Sequence, residues 1–434
     1  MIWIYIFTAI FIAVFLLRRD KISFENYIWL LLPVDMYGIH IGVNVKLYML
    51  FSVFLLIKIL RYRSSIYIGS SWFKFMPFII LLALLVNLFN GGDFDSIRAI
   101  MMVAIAYFAA LIYASCIKRN YVQIPKVIVA GSIGYGAVFM LLYVMWSFGI
   151  RLDDLVSYDR MLPGIFMYFS NAFSEEMVSN YRLRGFFIDP NVAIGPFISA
   201  IVIDLFAIFN RKHSFVHYLS MILSACCIAL TGSRMALICS FIIMVLFIAR
   251  NYNNLNVKYK NYIKLICMGD LPVSLVMSFM SGALNRFVEG IIVSYSSRAG
   301  LYDEFGRFTI WREMCSIWFD EGLFWGMGYG KVKDFTTLGL ECHNSWLEWL
   351  CGCGLLVGGL VVLYFLGVII TGIRKKCQLD FDNNIVFQSL LFGFISMAMV
   401  LSSVSNITNS YFWFYMIAFQ RILDTYCGAV QCES

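Results

Sequence analysis

The stretch "SWLEWLCGCGLLVGGLVVLYFLGVIITGIRKK", residues 345–376, decides the class of this protein. From Trp349 to Ile373 it holds no charged side chain. A helix needs about 20 apolar residues to cross the hydrocarbon of a bilayer. The run closes on Arg374, Lys375 and Lys376, the basic flank expected on a cytoplasmic side. Just before it stands "ECHN", residues 341–344, with His343, one of only four histidines.

The rest of the chain repeats this pattern. Of 434 residues, 61% are hydrophobic, 17% aromatic and 14% charged. A soluble domain carries about a quarter charged residues. Mean hydropathy is +0.80. The long runs show no strict alternation of apolar and polar residues, so helices rather than a closed barrel are expected. Apolar runs lie near 1–17, 26–43, 45–60, 75–90, 97–116, 125–149, 190–209, 214–231, 235–250, 262–280, 345–371, 384–403 and 410–426. The expected fold is an all-α integral membrane protein. It is one polytopic domain over 1–434, with about 12–13 transmembrane helices and no separate soluble domain.

Charge orients the runs. "RRDK" at 18, "RYR" at 61, "KRN" at 118, "RK" at 211, the lysines around Lys258 and "RKK" at 374 fall on one side, which the positive-inside rule makes cytoplasmic. The other side receives "GGDFD" at 91 and two long loops, about 150–189 and 282–343. The net charge of +7 therefore reads as topology signal, not as a nucleic-acid footprint. The 12 cysteines lie mostly inside apolar runs and read as small core residues. No C-x-x-C or Cys/His spacing points to zinc. The first run lacks a cleavage site and reads as a retained span.

Long loops on one face are where a site is built. The second contains "FTIWREMCSIW", with Ile310, Met314 and Ile317 at helical spacing and Trp311 and Trp318 beside them. That suits a helix at the membrane interface or a helix packed within the loop. The first loop ends in "YRLRGFFIDPN". Pro190 and the residues around it are ordinary helix-start chemistry. Arg182 and Arg184 are not, because arginine is disfavoured on this side. A guanidinium there holds a phosphate in a bidentate grip, or snorkels to the interface. Arg234, in "LTGSRMAL" between two spans, suits a structural ion pair or the same phosphate. Arg298 and Arg307 lie in the second loop.

"FWGMGYGK" follows, with Gly326, Gly328 and Gly330. No strand precedes it and no Lys-Ser or Lys-Thr follows, so it reads as a turn back to the bilayer rather than a nucleotide loop. Asp93 and Asp95 form a D-x-D pair. A metal-dependent glycosyltransferase would use one, but Gly91-Gly92 favours a turn. His343 sits at the mouth of a span. A neutral imidazole there suits a general base, with a structural histidine as the alternative. Asn344 is its neighbour, and Glu348 lies a turn on.

In this order, "RLRGFF-DPN", "TGSR", "GRFTIW", "GMGYG" and "HNSWLE" resemble the O-antigen polymerase and O-antigen ligase superfamily over residues 180–360. That resemblance implies a helical bundle in the bacterial inner membrane with its active site facing the periplasm. The two long loops would then be periplasmic. It implies transfer of a glycan from an undecaprenyl-diphosphate donor to an acceptor hydroxyl, without metal, nucleotide or other cofactor. His343, Arg184 and Arg307 would be catalytic, with Arg298 a rival for Arg307. Arg182, Arg234, Arg298, Asn344 and Glu348 would bind substrate. Expected partners are the lipid-linked oligosaccharide donor and acceptor, membrane lipid, a chain-length regulator and a flippase. Polymerase is the first reading and ligase the second. A non-enzymatic transporter is the alternative from another class. It would need charge buried mid-span, for which Asp35, Asp204 and Asp270 are the candidates.

Overall fold

The computed structural model describes residues 2–40, 44–69, 73–117, 120–147, 156–157, 164–168, 181–187, 189–231, 233–252, 260, 307–337, 339, 342–374, 381–404 and 409–431. The apolar run 262–280, with Asp270, and Arg298 lie outside these residues, as does most of both long loops.

The described chain is helical. In order, the helices are α1 (Ile2–Leu17), α2 (Leu47–Arg61), α3 (Met76–Phe89), α4 (Phe94–Cys116), α5 (Ile124–Ser147), α6 (Ile194–Phe209), α7 (Phe215–Leu230), α8 (Arg234–Asn251), α9 (Arg307–Glu321), α10 (Ser345–Arg374), α11 (Phe381–Val400) and α12 (Ser410–Gln431). Four segments are long and apolar enough to cross a membrane: Phe94–Cys116, Asn120–Met145, Ser345–Arg374 and Phe381–Ser403. Shorter apolar helices surround them.

Sequence explains which helices are central. In α12, every residue from Tyr411 to Phe419 is buried, and α11 is buried nearly throughout. Helices apolar on all faces belong in the middle of a bundle. α11 packs on α6, α8 and α12, and α12 on α4. The outer helices present bulky apolar side chains outward, such as Phe7, Phe11 and Phe15 of α1 and Val53, Phe54 and Ile57 of α2. A water-facing surface does not tolerate apolar patches of that extent. These are the faces of a membrane protein.

Small residues let helices close up. A Cβ on Gly134 of α5 would strike the Ala9 carbonyl of α1. Without a hydrophobic drive between helices in lipid, such close backbone packing holds them together.

Two apolar runs are not the continuous helices that composition suggests. The run 26–43 breaks into Phe24–Tyr27, Ile28–Leu31 and Leu32–Val34, each a turn or so of helix. A hairpin follows, Gly38–His40 paired antiparallel with Asn44–Lys46. Pro33 removes a helical donor, and Asp35 is drawn to Lys46 at 3.0 Å. Its buried side chains wedge into the bundle instead of spanning it.

The second is α10 itself. Gly354 sits at φ 70°, ψ 174°, so the helix halts at 353 and restarts at 355. The bend is sharp: a Cβ on Gly358 would meet the Trp349 carbonyl. The segment after α9 fills the break. Met327 and Gly328 donate to the carbonyls of Cys351 and Gly352 at 2.9 and 2.8 Å. Leu355 and Leu356 donate to Leu323 and Phe324 at 2.8 and 3.3 Å. Backbone groups released by the break are thus re-paired, as an apolar surrounding requires. Gly326, Gly328 and Gly330, at φ 76°, 100° and 79°, make the loop that does this. The glycines read as a returning turn are the plug of a broken helix.

Candidate active site

The short half-helix of α10, residues 345–353, fixes His343. Asn344 is its cap: Oδ1 accepts from the amides of Trp346 and Leu347 at 3.1 and 3.2 Å. The expected substrate contact therefore has its amide oxygen committed to the backbone. Ser345 donates to the Val404 carbonyl, and the Trp346 indole donates to Ala398 at 3.0 Å. Both bonds bind the half-helix to the end of α11. His343, half-buried, takes the left-handed conformation at φ 50°. That region is rare for residues with a Cβ and marks a locally constrained backbone.

α9 holds the other side of His343. Ile310, Met314 and Trp318 are buried against Met327, Val332, Cys342 and Cys351. The Trp311 indole donates to the Cys342 carbonyl at 2.7 Å, one residue before His343. The helix expected over "FTIWREMCSIW" is thus packed on one face, with Trp318 completing the stripe beside Ile317. Its other face shows Phe308, Phe319 and the exposed Arg312. Arg307 is half-buried at the first described position of this helix.

Glu348 is buried, and its Oε1 accepts from the Gly330 amide at 3.1 Å. The carboxylate anchors the glycine loop. The α3–α4 turn clasps the same loop: Asn90 donates to the Gly326 carbonyl at 3.1 Å, and Lys331 donates to the Gly91 carbonyl. Asp93 belongs to that turn and caps α4 by accepting from Ser96 at 2.8 Å. The Ser96 amide, then its hydroxyl, holds the Asp93 carboxyl below its usual range. Asp95 pairs with Arg98 at 3.2 Å. The D-x-D pair thus has a local structural use.

Arg184 is wholly buried, beyond what its sequence position suggested. It follows a small strand, Tyr181–Leu183, paired antiparallel with Phe166–Tyr168. Its Nε donates to the Gly164 carbonyl at 3.0 Å, and its amide to Ile165 at 3.0 Å. The Gly164 amide also donates to the Tyr37 hydroxyl at 3.1 Å. Arg182 lies in the strand opposite Met167.

"DPN" and "TGSR" meet directly. The Asn191 amide donates to Asp189 Oδ1 at 2.7 Å, and the Ser233 hydroxyl donates to Asn191 Oδ1. Ser233 also caps α8, accepting from Ala236 at 3.0 Å. Arg234 is the first residue of α8. Ser233→Ala removes a cap and the hydrogen bond to Asn191, costing about 2 kcal/mol. Thermal unfolding in detergent should show a clear drop, while Ser214→Ala, at an exposed helix start without a side-chain cap bond, should leave the midpoint in place. Equal midpoints for the two variants would refute the motif contact.

The two halves of the site share one end of the bundle. Met36 donates to the Phe186 carbonyl at 3.1 Å, and Phe187 packs on Tyr411 at 5.8 Å between ring centroids. Ser410 donates to Asp35 at 3.0 Å. The start of α12 therefore touches the Arg184 loop, through Tyr411, and the chain just after α11 touches the His343 half-helix, through Val404. Asp35, weighed as a transport carboxylate, is consumed here by Lys46 and Ser410. Sequence missed Tyr37 and Ser410; neither lies in a recognisable motif. Comparison with known proteins finds no family model that matches the chain and no curated protein that matches it in sequence.

Proposed function

We propose that this chain is an O-antigen polymerase, or polymerises a related surface polysaccharide. It joins undecaprenyl-diphosphate-linked repeats at the periplasmic face of the bacterial inner membrane. In this reading the bundle crosses the membrane about 12–13 times, both long loops are periplasmic, and α9 lies at the interface with Phe308 and Phe319 toward lipid.

One observation carries the reading. The motifs that resemble the polymerase and ligase superfamily are distant in sequence yet joined in pairs. Ser233 meets Asn191, Trp311 meets the residue before His343, and the glycine loop meets Glu348 and the α10 break. Packing alone does not require this pairing.

The chemistry follows from the donor. Its anomeric carbon already bears a diphosphate leaving group. His343 takes the proton of the acceptor hydroxyl as that oxygen attacks the anomeric carbon. The bond from that carbon to the diphosphate oxygen breaks, the configuration inverts, and undecaprenyl diphosphate leaves. Arg184 and Arg307 stabilise the charge gathered on its phosphates. Arg184 is fixed before the substrate arrives, so little reorganisation is needed. Arg182, Arg234 and Arg298 would complete the phosphate and sugar contacts.

The deciding experiment is the lipopolysaccharide gel of a deletion strain. Core plus a single repeat is the expected pattern, since ligation continues without polymerisation. Complete loss of O-antigen with lipid-linked polymer accumulating would make the chain a ligase. An unchanged ladder would sink both readings. A second expectation concerns metal. The purified protein should keep full activity in excess chelator, because arginines carry the diphosphate charge. Activity lost in chelator and restored by magnesium or manganese would return the role to a bound cation.

A further inference from the structure

Asp204 lies toward the end of α6 away from Arg184 and His343. It is wholly buried. Its Oδ1 stands 2.8 Å from His217 Nδ1 on α7. Its Oδ2 has no hydrogen-bond partner of good geometry among the described residues. The Ser220 hydroxyl also hydrogen-bonds the carboxyl, and it shares a 2.9 Å hydrogen bond with Ser132 of α5. Ser224 is buried a turn further along α7, and its hydroxyl also lacks a partner among the described residues. His217, Ser220 and Ser224 fall on one helical face. The His217 side chain is 22% exposed, so the cluster has one end near solvent.

Other charged and titratable groups on the packed elements are engaged elsewhere. Lys126 of α5 pairs with Asp20, and Tyr135 donates to the Leu30 carbonyl. Arg250 of α8 donates to the carbonyls of Gly372 and Ile373 at 3.2 and 3.0 Å. Lys212 lies over the Phe381 ring, and His213 packs edge-on against Tyr218. Arg211 and, at the start of α11, Asp382 are exposed. Cys226 and Cys227 of α7 and Cys239 of α8 are free thiols.

We propose that Asp204 is a proton-binding site, holding the proton on Oδ2 and exchanging it with solvent through His217. A carboxylate removed from water is stable only when paired or neutralised. A proton on Oδ2 supplies the missing hydrogen. The new O–H donates toward the Ser220 hydroxyl; for exchange the carboxyl turns over and passes this hydrogen to Nδ1 of His217 as the Nε2 hydrogen leaves to solvent. Proton loss would leave a net negative charge between α5, α6 and α7. The far ends of α6 and α7 lead to Asn191 and Ser233, so the same hairpin links this site to the motif contact. The inference does not depend on the glycan chemistry.

The test is an infrared titration of the purified full-length protein in detergent, with aspartate carbon-13-labelled at its carboxyl. A labelled protonated-carboxyl band is expected at mildly acidic pH and should vanish in Asp204→Asn and in the milder Asp204→Glu, whose glutamate carries no label. Absence of the band from the wild type, an arm that needs no variant, overturns the proposal. So does its persistence in either variant. In heavy water the band should shift by exchange, severalfold more slowly in His217→Phe; an unchanged rate overturns the exchange route. Replacing choline chloride by sodium chloride at constant ionic strength should leave the band intact. Its loss in sodium would mark a metal-cation site and overturn the proton assignment.

Discussion

Gly354→Ala should yield almost no folded protein. Gly354 holds φ 70° with ψ 174°, a combination that costs a residue with a Cβ about 1–3 kcal/mol. The new Cβ would also strike the Phe324 carbonyl, which is backbone and has no rotamer to move away. Relief requires the 323–328 segment to retreat. That retreat breaks the bonds from Met327, Gly328, Leu355 and Leu356 across the α10 break. Each is worth about 1 kcal/mol net, and more where no water replaces it. The total exceeds about 4 kcal/mol, a large share of a typical folding free energy of about 5–15 kcal/mol. Gly359→Ala is the control. It lies in the same helix, and its Cβ would make an ordinary contact of 3.6 Å with Leu355. Immunoblot of membranes and size-exclusion in mild detergent should show the Gly359 variant near wild type and the Gly354 variant absent or aggregated. If both behave as wild type, the broken helix is not the native form of this segment.

The same glycines show where sequence reading stops. Composition and run length are enough for a helical membrane protein, because exclusion of charge over a bilayer's thickness is a local property. The break in α10 is not local. "LCGCGLLVGG" reads as a small-residue helix face. Only the arrival of residues 323–330, from the preceding loop, gives the freed amides and carbonyls partners. The run 26–43 failed for a related reason: Pro33 was visible, but the pull of Lys46 and Ser410 on Asp35 was not. The candidate site was legible only as a set of residues at one border. His343, Arg184 and Glu348 were singled out by type and border position, and all lie at one end of the bundle. Their uses differ in detail. Glu348 grips the Gly330 amide, Asn344 caps a helix, and Asp93 caps another. A carboxylate or amide near an active site has backbone to satisfy first, and sequence does not reveal which amide stands opposite.

His343→Ala should abolish polymer formation while the protein remains abundant in the membrane. His343 is half-buried, so truncating it opens little core. Alanine keeps the Cβ, so it inherits the left-handed backbone rather than relieving it. Stability should therefore change little, whereas loss of a general base costs about a hundred- to ten-thousand-fold in rate. Arg184→Lys should fail too, for two reasons. Lysine cannot fork across diphosphate oxygens, and it lacks the Nε–H that reaches the Gly164 carbonyl at 3.0 Å. Arg307→Lys should lose activity with less effect on folding, because this side chain is half-buried where Arg184 is wholly so. Arg312→Lys, on the exposed face of α9, should be silent. The measurement is the chain-length ladder in strains with matched membrane levels, with His40→Ala as the histidine control. Full-length ladders from the His343 variant would make the imidazole a piece of scaffold. The proposed glycosyl transfer would then need another base, and the reading of this end of the bundle would have to be rebuilt around it.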